Sequence, residues 1–143
     1  MTKNEQIKNN MDEKEFDLLM KDLCGRLPYG VKVQHQHQDY LNEVQTIEHI
    51  SRQYGEIETE SVLGFVDDFK PYLRPMSSMT EEEWADYQKI KMIDWVNGDI
   101  NGTFINTGLI VDWLNKNHFD YRGLIPKDLA IEVTKENNPY KGS

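Results

Sequence analysis

Hydrophobic residues of this 143-residue chain recur in three stretches at the spacing of an α-helix. The first stretch begins at Asp12, which forms the spacing of a capping box with Glu15. Six apolar side chains then share one helical face: Phe16, Leu19, Met20, Leu23, Cys24 and Leu27. Gly25, within the last turn, and Pro28 are expected to end this element. The pattern therefore predicts an amphipathic N-terminal helix.

The second helix is predicted to begin at Thr80. Its hydroxyl can accept a hydrogen bond from the N–H of Glu83, whose carboxylate can accept one from the N–H of Thr80. The three successive glutamates 81–83 also favour the positive end of the helix dipole. Ile90 and Ile93 lie outside the broad apolar face of this helix. That face comprises Trp84, Ala85, Tyr87, Met92, Trp95 and Val96.

A third helix is expected between Asn106 or Thr107, either of which can cap it, and its end near Asn117. Its apolar positions are Leu109, Ile110, Trp113 and Leu114. We expect large side chains from all three helices to meet in one core. These residues are Phe16, Leu23, Trp84, Trp95, Trp113 and Leu114.

The segment between the first two helices shows the two-residue period of β-strands. Residues 31–33 alternate, whereas residues 40–54 fit either a strand or a helix, and their apolar positions favour a strand. Residues 56–65 predict one strand, with apolar and hydroxyl side chains on one face and three glutamates on a solvated face. Residues 66–79 contain two prolines and are expected to cross the domain as an irregular segment.

The chain is expected to form a single α+β domain over residues 12–134. It comprises the N-terminal helix, a small antiparallel sheet over about residues 30–66, two further helices and a C-terminal extended segment that includes Ile131. Residues 1–11 are predicted to be a flexible arm, and residues 135–143 a flexible tail.

Charge and cysteine content limit the kinds of partner and compartment. The chain has 16 basic and 25 acidic residues and a formal net charge of −9. Nucleic-acid binding is therefore disfavoured, because affinity for phosphates depends on a surplus of basic residues. The single cysteine, Cys24, cannot form an intramolecular disulfide and is expected to be a buried small hydrophobe. A polar N-terminus and the lack of a long apolar run predict a cytoplasmic protein without membrane contact.

Histidine spacing suggests one metal-binding alternative. His35, His37 and Asp39 alternate, so a strand would place them on one face, and His49 is a candidate fourth ligand. Glutamines interleave with them, and we prefer to interpret this segment as a polar surface loop. We expect no metal and no cofactor.

The segment that follows the third helix brings together unlike functional groups. His118 and Asp120 have the character of an acid–base pair. A structural interpretation is preferred, in which His118 lies at the C-terminal end of a helix. The chain has no phosphate-binding loop and no GxGxxG, GxSxG or HExxH motif, so no catalytic residue is nominated.

Two loops each place a tyrosine beside an arginine, namely Tyr72 with Arg74 and Tyr121 with Arg122. Aromatic and arginine side chains are enriched at binding hot spots, so these four residues are candidate contacts for a protein partner. The same side chains can instead fix a loop to its own domain by stacking and hydrogen bonding. We prefer the structural role, because both loops contain prolines and large apolar residues that would pack inward, and keep the partner contact as the alternative.

Residues 22–31, 70–83 and 120–127 resemble a family of small uncharacterised proteins of prophages and mobile elements in gut-dwelling anaerobic bacteria. The resemblance covers most of residues 16–132. It implies a setting and carries over no activity or site residue. We expect a non-enzymatic accessory protein of a phage or mobile element that acts through protein–protein contacts. The alternatives are a metal-dependent enzyme that uses His35, His37 and Asp39, and an acidic inhibitor that imitates nucleic acid.

Overall fold

The computed structural model describes residues 11–37, 43–98 and 108–140, without the side chains of residues 94–98. Within these residues the chain forms three α-helices and six β-strands, which confirms the predicted mixture of helix and strand. The helices are α1 (Glu13–Arg26), α2 (Glu81–Gly98) and α3 (Leu109–Lys116). The strands are β1 (Lys32–His35), β2 (Gln45–Ser51), β3 (Glu56–Thr59), β4 (Leu63–Phe65), β5 (Phe69–Leu73) and β6 (Ile131–Glu132).

The six strands form one sheet in the order β4-β3-β2-β1-β5-β6. Neighbours from β4 to β5 are antiparallel, and β6 joins β5 in parallel, with Tyr72 opposite Ile131. The ambiguous segment 40–54 contains β2, so the preference for a strand is confirmed. The sheet extends beyond the predicted range 30–66 and is not wholly antiparallel, because β5 and β6 join it.

The prediction of an irregular crossing over residues 66–79 is wrong, because β5 lies within it. Val33 of β1 is opposite Pro71, and the parallel pairing with β6 begins one residue later, at Tyr72. At Pro71 the strand therefore pairs on one side only. A proline, which has no N–H to donate, is tolerated at such a position.

The prediction of one continuous strand over residues 56–65 is also wrong. Two strands, β3 and β4, are joined by a turn in which the Thr59 hydroxyl accepts from the N–H groups of Ser61 (3.2 Å) and Val62 (3.1 Å). The apolar alternation continues through this turn and conceals the reversal. Ile57 is buried before the turn, whereas Leu63 after it is 61% exposed.

Helix α1 begins as predicted. Asp12 accepts from the N–H of Glu15 at 2.8 Å, and Glu15 accepts from the N–H of Asp12 at 3.2 Å, so the capping box is complete. Gly25 lies inside the last turn. Cys24 is half-buried, and burial raises the pKa of its thiol. One face of α1 packs on the sheet and on the loop that precedes β6, and this contact forms the hydrophobic core. The core comprises Phe16, Leu19, Met20, Leu23, Val31, Val33, Ile47, Ile57, Val66, Phe69, Leu73, Leu124, Leu129 and Ala130.

The expected core of six large residues is only partly correct. Phe16, Leu23 and Leu114 are buried. Trp113 is partly buried, and Trp84 is 54% exposed. The side chain of Trp95 lies outside the described residues.

The third helix ends near Asn117, as expected, but its N-cap residue is Gly108. Asn106 and Thr107, the predicted caps, lie outside the described residues. The N-cap position of Gly108 has a φ of 78°, a left-handed conformation that suits glycine.

Tyr140 connects the C-terminal segment to the sheet. Its hydroxyl accepts from the N–H of Lys32 at 2.9 Å and donates to the carbonyl of Tyr72 at 2.8 Å. The next rung of the β1–β5 ladder after Val33 and Pro71 would pair these two residues. The hydroxyl therefore bridges the two strands where direct pairing ends. Residues 1–10 and 141–143 lie outside the described residues.

Candidate protein-interaction surface

One narrow face of α2 contacts the rest of the domain. It consists of Glu83, Tyr87 and Ile90, which recur at helical spacing and are each half-buried. Arg74 donates two hydrogen bonds to Glu83, from Nη1 at 2.7 Å and from Nη2 at 2.6 Å. The bonds from Arg74 hold the pKa of Glu83 below its usual value. Bonds from Thr80 add to this lowering, and partial burial opposes it.

The predicted start of α2 is confirmed and explains part of this orientation. Glu83 Oε1 accepts from the N–H of Thr80 at 3.0 Å, and the N–H of Glu83 donates to the Thr80 hydroxyl at 3.1 Å. The same carboxylate is thus both the capping group of the helix and the partner of Arg74. Because Glu83 is fixed toward the domain, the rotation of the helix is fixed with it.

Three of the four described members of the predicted apolar face of α2 consequently point away from the domain, whereas Tyr87 lies on the contact face. Trp84 is 54% exposed and Met92 is 68% exposed, and Ala85 and Gln88 between them are also exposed. Helical geometry places these four side chains within an arc of about 100°. We call them the outer face of α2. The expectation that Trp84 belongs to the core is wrong, and the side chains of Trp95 and Val96 lie outside the described residues.

A column of aromatic rings supports Trp84 from below. Its ring stacks on Tyr87 with 5.6 Å between centroids, and Tyr87 lies 5.9 Å from Trp113. Trp113 stacks in turn on the buried Phe119 at 5.6 Å. The guanidinium of Arg74 lies 4.2 Å from the Phe119 ring centroid and closes the column. Trp84 is therefore an exposed apolar side chain in a fixed position.

A shallow hollow of about 410 Å³ adjoins this tryptophan. Methionine side chains adapt to the shape of a neighbouring group, and two of them contribute to the hollow. Its lining residues are Met76, Ser77, Met79, Thr80, Glu81 and Trp84. The hollow and the outer face of α2 together expose large apolar side chains, and the polar side chain of Gln88 lies between Trp84 and Met92.

The first tyrosine–arginine pair from the sequence contacts its own chain. Tyr72 is buried in β5, and its carbonyl accepts the hydrogen bond from Tyr140. Arg74 binds Glu83, and its backbone pairs with the segment after α3, where the N–H of Asp120 donates to the Arg74 carbonyl at 2.8 Å. In this structure the pair joins β5 to α2 and to the C-terminal segment.

The second pair belongs to a buried polar cluster beside α1. Arg122 Nη1 donates to Asp22 at 2.9 Å, and its guanidinium lies 4.6 Å from the Tyr121 ring centroid. The hydroxyl of Tyr121 donates to Asn115 at 2.9 Å. Arg26, which is fully buried, donates to the other oxygen of Asp22 at 2.8 Å. The two arginines thus neutralise Asp22 from both sides.

Sequence reasoning did not identify Asp22 and Arg26. Their four-residue spacing on α1 is a helical ion-pair signal, but such pairs are common on helix surfaces. Arg26 also donates to the carbonyl of Phe119 at 2.6 Å, a residue 93 positions away. This long-range contact fixes the end of α1 to the segment after α3.

The described contacts of His118 and Asp120, the candidate acid–base pair, are contacts within the fold. Both carboxylate oxygens of Asp120 accept backbone N–H groups, from Leu124 at 2.8 Å and from Ile125 at 2.9 Å. The ring of His118 stacks on Tyr140 with 3.5 Å between centroids. Burial, reinforced by the positive charges of nearby basic residues, lowers the pKa of His118 to about 4. His118 is therefore neutral near pH 7 and does not act as the imidazolium that its position near a helix end suggested.

The structure keeps His35 and His37 together, with 6.2 Å between their ring centroids, and places the candidate fourth ligand His49 on another strand. His35 is the last residue of β1, is 7% exposed and lies 4.8 Å from the ring of Phe69, so it does not belong to a surface loop. Its Nδ1 accepts from the N–H of His37 at 3.0 Å, and His49 is exposed on β2. Asp39 lies outside the described residues. In the part of the chain that the structure describes, no three His, Cys, Asp or Glu side chains are placed to hold a metal ion.

A cleft of about 680 Å³ lies between the start of α1 and the start of β5. Acidic and basic side chains line it together, and Lys70 and Asp128 form an ion pair of 3.0 Å at its border. Its lining residues are Met11, Glu15, Gln36, His37, Asp67, Asp68, Phe69, Lys70, Lys127, Asp128 and Leu129. This mixed charge selects neither an anionic nor a cationic ligand.

Comparisons with protein-family models, with curated proteins and with solved structures found no match to this chain. No helix among the described residues has both the length and the apolar character that a membrane span requires. The surface and contacts of the chain itself therefore provide the evidence for its function.

Proposed function

We propose that this chain is a non-enzymatic accessory protein that acts through protein–protein contacts, and that the outer face of α2 makes these contacts. The observation that carries the proposal is the exposure of Trp84, at 54%, on the same face as Met92, at 68%. Covering apolar surface gains about 25 cal/mol per Å², and contiguous exposed apolar patches commonly mark interaction sites.

The support beneath Trp84 favours binding as well. A side chain that is already fixed loses little conformational freedom when a partner covers it. The aromatic column from Tyr87 to Phe119 supplies that support. Tryptophan is also among the residues most enriched at binding hot spots. The resemblance of residues 22–31, 70–83 and 120–127 supports a phage or mobile element as the setting of this proposal.

The experiment compares affinity capture by the wild-type protein, Trp84→Ala and Tyr54→Ala. Tyr54 is 42% exposed in the turn between β2 and β3, so it provides a matched exposed aromatic residue away from α2. We expect the wild type and Tyr54→Ala to retain the same partner and Trp84→Ala to lose it, with similar melting temperatures. Equal capture by Trp84→Ala would refute the assignment of this surface.

A further inference from the structure

We propose that residues 134–140, which we call the C-terminal strap, form a pH-sensitive element. The strap is docked on β1 and β5 while His118 is neutral, and it leaves them when His118 is protonated, with the rest of the domain still folded. Its anchor is Tyr140, whose ring covers His118 and whose hydroxyl lies between the two strands. This element does not involve the outer face of α2, so each proposal can be tested without the other.

The strap depends on this one anchor. Residues 134–137 are exposed, and Asn137 binds only Thr134 and the carbonyl of Glu132, which hold the shape of the segment itself. Among the described residues, the hydrogen bonds that join the strap to β1 and β5 come from the Tyr140 hydroxyl. A segment with few buried contacts opens at a lower free energy than the whole domain. Release of Tyr140 therefore frees the strap and leaves β6 paired with β5.

The two strands can satisfy the same backbone groups without Tyr140. The N–H of Gln36 donates to the carbonyl of Asp68 at 2.7 Å, and bonded pairs recur every second residue in an antiparallel ladder. Four residues further along, this pattern pairs Lys32 with Tyr72, where the Tyr140 hydroxyl lies instead. When the strap leaves, the N–H of Lys32 can donate directly to the Tyr72 carbonyl. Both arrangements thus give these two backbone groups a partner.

The position of His118 couples the two arrangements to pH. Its ring lies 3.5 Å from the ring of Tyr140, with 9° between their planes. Nδ1 of His118 is buried and has no hydrogen-bond partner in the part of the chain that the structure describes. A protonated imidazole donates from both nitrogens, so the charged ring needs an acceptor or water at Nδ1. Tyr140 covers one face of the ring, and its departure opens the ring to solvent.

The charged groups around His118 oppose its protonation in the docked arrangement. Burial, followed by the positive charges of Arg26 of α1, Arg74 after β5 and Lys32 of β1, lowers the pKa of His118 to about 4. The carboxylates of this region already have other partners, as described above for Asp22, Glu83 and Asp120. No anion among them is therefore free to neutralise an imidazolium.

Release of the strap exposes His118 and returns its pKa toward 6.5, so the released arrangement binds more protons between these values. Because linkage is reciprocal, protonation weakens docking by the same factor by which docking weakens protonation. After allowance for solvent screening, we expect the equilibrium constant for docking to fall about a hundredfold between pH 7 and pH 4.

Nuclear magnetic resonance of the full chain between pH 7 and pH 3.5 tests the proposal. The ring protons of His118 should titrate with a midpoint near pH 4 in the wild type. As the pH falls through that midpoint, the order parameters of the Asn138 and Tyr140 amides should fall from about 0.85 to below about 0.6. The amides of α1 and of β1 to β5 should keep their dispersed shifts.

Tyr140→Ala tests the reciprocal effect. Removal of the ring should raise the His118 midpoint by at least about one pH unit. A scalar coupling across a direct hydrogen bond, between the amide nitrogen of Lys32 and the carbonyl carbon of Tyr72, should also appear. Tyr54→Ala, at an exposed tyrosine of the turn between β2 and β3, serves as the control and should leave the midpoint unchanged.

Tyr140→Phe provides a second variant if Tyr140→Ala does not fold. It keeps the stacked ring and loses the hydroxyl bonds, so the midpoint should rise by less, in the same direction. A midpoint that neither variant raises would overturn the proposal. Strap amides that stay ordered below the midpoint would do the same, as would loss of shift dispersion throughout the domain at the same pH, because that result indicates global unfolding.

Discussion

Helices α1 and α2 have the same kind of start and opposite relations to the domain. Each begins with a complete capping box, Asp12 with Glu15 in α1 and Thr80 with Glu83 in α2. Helix α1 buries its apolar face in the core, whereas α2 leaves the large apolar side chains of Trp84 and Met92 exposed to solvent.

The difference arises from contacts with distant parts of the chain. In α1, the charged residues Asp22 and Arg26 bind the segment after α3 and leave the apolar face against the sheet. In α2, Glu83 binds Arg74 and Tyr87 contacts Trp113, and both lie on the face opposite to the outer one. A capping motif determines where a helix begins, but long-range polar and aromatic contacts determine which face is covered.

The largest expected effect concerns the buried charge that docks α1. Asp22→Ala removes the partner of two arginines, one of which is fully buried. Removing one member of a buried pair leaves an uncompensated charge and typically costs about 3–5 kcal/mol. We expect the free energy of unfolding, measured by urea denaturation, to fall by that amount. Asp17→Ala, at an exposed position of the same helix, should change it by less than about 0.5 kcal/mol.

The second prediction concerns the pH dependence of stability that arises from His118, which lies in the segment after α3 that contacts α1. His118 has a pKa of about 4 in the folded protein, against a reference value of 6.5. Between these values the unfolded chain binds more protons, so stability rises with pH and is lost on acidification. After allowance for solvent screening of the partly exposed ring, we expect a loss of about 1–2 kcal/mol from pH 7 to pH 4.

Urea denaturation at several pH values measures this effect. His118→Gln should flatten the dependence between pH 4 and pH 6.5. His49→Gln, which changes an exposed histidine of β2, serves as the control and should retain the wild-type dependence. An unchanged slope in His118→Gln would show that His118 is not the responsible group.

The third prediction compares the two caps directly. Thr80→Ala and Asp12→Ala each remove a side-chain acceptor at a helix N-cap, which typically costs about 0.5–2 kcal/mol. Because α2 has the smaller buried contact, we expect Thr80→Ala to increase amide hydrogen exchange in its first turn more than Asp12→Ala does in α1. Similar exchange in both first turns would show that α2 is held as firmly as α1.

The sequence predicts features that depend on neighbouring residues and misses features that depend on distant ones. The two capping boxes, the presence of three helices and the strand character of residues 45–51 follow from local patterns. Strand β5 was not predicted because Pro71 suggested irregular structure. A proline is tolerated at this position because the pairing of β5 with β6 begins one residue later, at Tyr72. The reversal after Thr59 was missed because the apolar alternation continues through the turn.

The candidate surface shows the same division. The apolar face of α2 was identified from spacing, but its exposure depends on Arg74 and Glu83, which approach each other only in the fold. Tyr72, Arg74, Tyr121 and Arg122 were selected for residue type, and in the structure each contacts groups of its own chain. Whether they also contribute to a partner contact remains a prediction.

The smallest expected effect on stability is that of a substitution on the outer face of α2. Trp84→Ala removes a large side chain that is 54% exposed, so little buried surface is lost within the monomer. We expect the free energy of unfolding at high dilution to change by less than about 1 kcal/mol. Leu23→Ala, at a fully buried position of α1, should cost about 2–5 kcal/mol under the same conditions. If the two substitutions cost the same, the outer face of α2 is covered within the monomer, and the contrast between the helices is wrong.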